Sequence, residues 1–187
     1  MRIRYNAPAT LTFAFISVIV LILDQVLSGN LTERFFSIPG RQGFEFGDLL
    51  NYLRLFTHPI GHADWSHLLS NFAFILLLGP ILEEKYGSGN ITIMMFITAL
   101  VTGLLNALFL TTGLFGASGI VFMMILLVSF TNIRQGDIPL TFILIVLLYL
   151  AREIINSVQT NNISEFAHIV GGICGSLFGF LKPKKSS

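Results

Sequence analysis

Apolar residues gather along this chain in long runs, and the polar residues between them fall in short clusters. Six runs, at about 9–28, 66–84, 91–111, 116–131, 139–157 and 162–181, reach or approach the ~20 apolar residues that cross the hydrocarbon core of a bilayer as a helix. The pattern predicts six transmembrane helices, of which the fourth is short and opens on Gly116-Ala117-Ser118-Gly119. Between the first two runs, over about 29–65, Gly29, Gly40, Gly43, Gly47 and Pro39 are interspersed with Phe35, Phe36, Phe44 and Phe46. Turn formers mixed with large apolar side chains predict a long first external loop, partly embedded in the membrane interface. An ordinary external loop rich in aromatic residues is the other reading.

Composition agrees. Hydrophobic residues make up 53% of the chain and charged residues 11%, where a soluble domain carries roughly 25% charged. The expected product is an all-α membrane protein, one helical domain over 1–187 with no room for a second, soluble one. Residues 9–23 follow Arg2 and Arg4 as the core of a secretory signal would, but no small-residue cleavage site follows Asp24, and removal would leave an odd number of spans. This run is therefore read as a span.

The formal net charge of +1, with no basic tract, gives no sign of a nucleic-acid partner. Where the positive residues fall says more. Arg2 and Arg4 precede the first run, Lys85 lies between the second and third, Arg134 between the fourth and fifth, and Lys182, Lys184 and Lys185 follow the sixth. That distribution predicts both termini in the cytoplasm; Arg34, Arg41 and Arg54 in the external loop run against it. The single Cys174 excludes an intramolecular disulfide and reads as a packing residue among small neighbours.

Ionisable side chains inside a span are costly and are functional candidates by default. His168 stands in such a run, in Ala167-His168-Ile169-Val170-Gly171, and Ser118 is framed by glycines fifty residues earlier. A serine needs only a nearby base to become a nucleophile. Gly171, Gly175 and Gly179 recur every four residues and form a flat groove on one helix face, beside which His168 sits. If that groove packs on the helix begun by Ser118, serine and histidine meet; small residues serving only helix contact are the alternative. Glu165, three residues before His168, is read as facing water rather than orienting the imidazole. Asp24 is read as interfacial, and Arg152 and Glu153 as reaching toward headgroups.

The second run opens with His62-Ala63-Asp64-Trp65-Ser66-His67-Leu68-Leu69-Ser70-Asn71. His67 and Asn71 are a helical turn apart on one face. Two donors aimed from one helix at one point make an oxyanion hole; equally, they can bond a neighbouring helix and hold the bundle together. His58, His62 and His67 raise the question of a metal. His62 and His67, however, stand about 140° apart round a helix, and no His-Glu-x-x-His occurs. No metal or other cofactor is expected.

Together these residues resemble the rhomboid family of intramembrane serine proteases over about Arg54 to Phe180. Gly116-Ala117-Ser118-Gly119 fits Gly-x-Ser-Gly, and Ala167-His168 with Gly171 and Gly175 fits Ala-His-x-x-Gly-x-x-x-Gly. His62, His67 and Asn71 fit the family's second helix, and Leu78-Gly79 with Glu83 through Gly87 fits its end. The resemblance implies a six-helix bundle in which Ser118 is the nucleophile and His168 the general base, with no third acid. It also implies an oxyanion hole from His67, Asn71 and the Ser118 N–H, His62 as a residue that structures the first loop, and Glu83 as an anchor at the cytoplasmic end. Substrates would be membrane proteins, cut in or beside their transmembrane segments after the second and fifth spans part. The minimal form looks bacterial, which implies the inner membrane.

Two positions depart from the family pattern. Phe122 stands where many relatives carry a tyrosine over the catalytic histidine, and Leu53 stands where a tryptophan precedes Arg54. Neither change removes an atom needed for acyl transfer. The alternatives are a rhomboid-like protein that binds transmembrane segments without cutting them, and a small transporter with a histidine proton relay.

Overall fold

A computed structural model describes residues 3–27, 30–130, 140, 143–144, 147–148 and 165–181. Among them are α1 (Pro8–Val26), α2 (Leu31–Phe36), α3 (Leu49–Thr57), a 3-10 turn (His58–Ile60), α4 (Trp65–Tyr86), α5 (Ser88–Phe109), α6 (Ser118–Phe130) and α7 (Glu165–Phe180). Three of these, α1, α4 and α5, are long and apolar enough to cross a membrane, and α6 and α7 are shorter apolar helices. The fifth run, 139–157, lies mostly outside the described residues, as do Arg134, Arg152, Glu153 and the lysines from 182 onward. Within it Leu140, Ile143, Leu144, Leu147 and Leu148 are helical and exposed, the spacing of one outward helix face.

Local chemistry sets the helix ends. Pro8 opens α1, where a missing N–H costs nothing. Asp48 caps α3 by accepting from the Leu50 N–H at 2.9 Å, and Asp64 caps α4 by accepting from the His67 N–H at 2.7 Å. Gly87, at φ +82°, ends α4 and begins α5 in a single residue, a backbone conformation that a Cβ would strain.

The expected loop of 29–65 is itself folded, into α2, α3 and the 3-10 turn. Asp24 is part of the reason. Read as interfacial near the end of its span, it is buried within the protein, and its Oδ1 accepts from the Thr32 N–H at 2.7 Å, so the last turn of α1 caps the first turn of α2. The Arg54 guanidinium joins the loop helices by donating to the Arg34 carbonyl (Nε, 2.9 Å) and to Asn51 Oδ1 (Nη1, 2.6 Å). Ile38 exchanges backbone hydrogen bonds with Leu114, each 2.9 Å, which ties this loop to the segment leading into α6.

α1 is fastened to α4 at both ends. Glu83 of α4 accepts from the Ala9 N–H at 3.1 Å, the Thr10 N–H at 2.7 Å and the Thr10 hydroxyl at 2.6 Å, taking up N–H groups that the first turn of a helix leaves unpaired. At the other end the Trp65 indole donates to Gln25 Oε1 at 3.2 Å. The core runs through α1, α4, α5, α6 and α7, with Met123, Met124 and Leu127 of α6 fully buried. A helix apolar on all sides is stable only when surrounded, and α6 packs against α4, α5 and α7.

Candidate active site

Ser118 is the first residue of α6, and the turn that delivers it is held from two sides. The Gly116 N–H donates to the His58 carbonyl at 2.9 Å. Gly116 has φ +103°, and a Cβ there would sit 2.8 Å from His67 Nε2. Both the backbone conformation and the approach of the imidazole require glycine. The result is a half-buried serine at a helix N-terminus, with the His67 ring against the residue two before it.

α7 meets α6 so closely that backbone touches backbone. A Cβ added to Gly171 would collide with the Gly119 carbonyl, and one added to Gly175 with the Met123 carbonyl. The expected groove of small residues therefore seats α6 over Gly171 and Gly175. His168, three residues before Gly171, is buried, and its ring packs on Phe122 with centroids 4.6 Å apart at 37°. Phe122 lies one helical turn after Ser118, on the same face. The Gly119–Gly171 and Phe122–His168 contacts place Ser118 and His168 at the same end of one helix interface.

His67 of α4 reaches this end. His67 Nδ1 accepts from the Ala63 N–H at 3.5 Å, so the proton of the neutral ring belongs on Nε2, the atom turned toward Gly116. Asn71 is buried, and its Nδ2 donates to the His67 carbonyl at 3.1 Å, which leaves its second amide hydrogen. Phe115 packs edge-on against His67 with ring centroids 6.0 Å apart.

His62 was counted with the second run, but Asp64 starts that helix at Trp65, so His62 lies in the extended segment before it. Its ring still meets His67, edge-on at 5.0 Å. His62 Nδ1 donates to the Ile60 carbonyl at 3.1 Å and His58 Nε2 to the Ala99 carbonyl at 3.1 Å. Burial lowers both imidazoles to about 4, His62 further disfavoured as a cation by His67. Both are neutral at pH 7.

His58 was missed as a positioning residue. Its place four residues before His62 suggested only a metal ligand, and nothing in the sequence shows that its carbonyl holds Gly116. Glu165 begins α7, and the reading of its side chain lies outside the described residues. Cys174 is buried in the core, a packing position.

A rhomboid domain model matches residues 50–185. The chain belongs to the rhomboid family. Among curated rhomboids, it is 26% identical to the rhomboid protease GlpG of Pectobacterium atrosepticum over 92% of this chain and 62% of that one. It is 25% identical to the rhomboid protease GlpG of Haemophilus influenzae, over 70% of each. This rhomboid chain thus spans somewhat under two thirds of the first relative's length. Rhomboid membership and the apolar helices make it an integral membrane protein.

Proposed function

We propose that this rhomboid is an intramembrane serine endopeptidase that cuts membrane-protein substrates through a Ser118–His168 dyad. The observation that carries the reading is the stacking of His168 on Phe122 one turn from Ser118, with α7 seated on Gly119. His168 takes the Ser118 Oγ proton as the oxygen attacks a peptide carbonyl. The oxyanion is met by the Ser118 N–H, His67 Nε2–H and an Asn71 amide hydrogen, at the positive end of α6. Collapse of the intermediate sends the proton from His168 to the leaving amine, and water then hydrolyses the acyl-enzyme.

The proposal places six spans in one membrane domain, both termini in the cytoplasm and the chain in a bacterial inner membrane. Leu49, Leu53 and Phe56, exposed along one face of α3, support a first loop set into the membrane interface. Substrates would carry a helix-destabilising stretch near their outer end, because a regular helix hides its carbonyls. They would enter between α4 and the helix of the fifth run.

Fluorophosphonate labelling of detergent-purified protein tests the dyad. The parent is expected to label, and folded Ser118→Ala and His168→Ala variants are not. A folded parent that takes up no probe would turn the reading to a rhomboid that binds transmembrane segments without cleaving them.

A further inference from the structure

One turn of α5 reaches the serine turn at both of its ends. Ala99 serves the first: its carbonyl accepts from His58 Nε2 at 3.1 Å, and the His58 carbonyl in turn holds the Gly116 N–H. Thr102, three residues further along α5 and buried, serves the second. A Cβ added to Gly119 would lie 3.2 Å from Thr102 Cγ2 and 3.3 Å from the Ala167 carbonyl oxygen. Gly119 is therefore held between the threonine methyl on one side and the backbone of α7 on the other. The chain neighbours of Gly119 and Ala167 are Ser118 and His168.

The two branches of Thr102 act differently. Its hydroxyl turns back on its own helix, donating to the Thr98 carbonyl at 2.8 Å and to the Ala99 carbonyl at 3.1 Å, a bonding pattern that threonines in helices favour. The hydroxyl hydrogen is thereby spent inside α5, and χ1 of a β-branched side chain is fixed with it, which aims the methyl at Gly119. On the far side, Gly171 is seated against the Gly119 carbonyl, so the start of α6 cannot move toward α7. The Thr102 methyl stops it from moving away.

We propose that Thr102 is a positioning residue for the dyad, whose γ-methyl presses Gly119 onto α7 and so keeps Ser118 Oγ within reach of His168. The proposal rests on the dyad reading and adds to it a residue that touches neither substrate nor reacting atoms. A void of one methyl behind Gly119 would let the start of α6 back away from α7. Proton transfer needs hydrogen-bond reach, so a small retreat lowers the rate far more than it lowers stability.

Substitutions separate the two branches. Thr102→Ser removes the methyl and keeps the hydroxyl, whereas Thr102→Val keeps the methyl and removes the hydroxyl. Combining Thr102→Ser with Gly119→Ala returns a methyl to the same gap from the other side. Each detergent-purified protein is melted, and its folded fraction is labelled with fluorophosphonate. Thr102→Ser should label roughly tenfold more slowly than the parent, with a Tm close to the parent's, and Thr102→Val should recover most of that rate. Gly119→Ala should speed labelling in the Thr102→Ser background and slow it in the parent, where the gap is already filled. With a transmembrane substrate in proteoliposomes, the loss in Thr102→Ser should fall on kcat at constant KM.

Labelling of Thr102→Ser at the parent's rate would overturn the proposal. Equal slowing in the Ser and Val variants would overturn it too, by assigning the effect to the hydroxyl or to packing at large, as would a double variant no faster than Thr102→Ser. In each of these cases the parent labels, and the dyad reading stands. A folded parent that never labels sinks the dyad reading and this proposal together.

Discussion

His67 and Asn71 show how one helix face becomes a site. Four residues of separation align them, but the Asp64 cap, the Ala63 N–H on Nδ1 and the closeness of Gly116 turn His67 Nε2 toward the serine turn. In the proposed oxyanion hole, Asn71→Ala removes one donor and leaves His67 and the Ser118 N–H in place. It should lower kcat by about 10²–10³, or roughly 3–4 kcal/mol of transition-state stabilisation, as in soluble sites. KM should move little, because the donor engages charge that develops only in the transition state. Steady-state cleavage of a transmembrane substrate in proteoliposomes separates the two constants; a rise in KM at constant kcat would assign Asn71 to ground-state binding instead.

Individual residues also show where sequence reading stops. Ser118 and His168 stood out as candidates because a serine among glycines and a histidine in an apolar run are conspicuous. His58 was not, because its contribution is a backbone carbonyl, which every residue has. The same holds for the exchange between Ile38 and Leu114, which depends on where two loops pass.

Helices are where Glu83 and the glycines of α7 act. The Glu83 carboxylate spans 73 positions in sequence to reach Thr10, and it gathers the start of α1 onto the end of α4. Glu83→Ala strips two backbone N–H groups and a hydroxyl of their acceptor and should cost about 2 kcal/mol. Thermal unfolding in detergent should show a lower Tm, while Ser118 in the folded fraction still labels with fluorophosphonate. Loss of labelling at full stability would contradict a purely structural role.

At the α6–α7 interface, Gly171→Val places a branched side chain where the Gly119 carbonyl stands. It should force the helices apart, at a cost of roughly 1–3 kcal/mol, and carry His168 away from Ser118. Activity should fall more than stability does, and Gly171→Ala should lie between Val and the parent. Equal activity in all three would mean that the helix contact does not position the base.

At the scale of the whole molecule, buried neutral histidines link folding to pH. His58 and His62 hold folded values of about 4 against an ordinary 6.5. Between those values the unfolded chain binds protons that the folded chain excludes, so stability falls as pH drops from about 6.5 toward 4. Above 6.5 both states are neutral, and these groups contribute no pH dependence. Each can remove up to roughly 3 kcal/mol by pH 4, less than additively because His67 couples to His62. Thermal melts at pH 7, 5.5 and 4 should show a progressive decrease that flattens in His58→Gln. A Tm constant over this range would mean that the external loop detaches before the bundle unfolds.

The sequence by itself determined the class of the molecule, because apolar runs of bilayer length have few stable fates other than spanning helices. The helix ends at Pro8, Asp64 and Gly87 also rest on local properties, φ restriction, side-chain capping and a glycine conformation, although the second run was read as opening at His62. The candidate serine and histidine with their glycine frames stood out for the same reason, as departures from hydrocarbon. Tertiary structure alone decided the rest. The stacking of His168 on Phe122, the Glu83 cap on α1, the His58 carbonyl on Gly116 and the folding of the first loop into helices each join groups distant in sequence. Their energies depend on backbone positions that no local pattern encodes, and they arise only once the helices have packed.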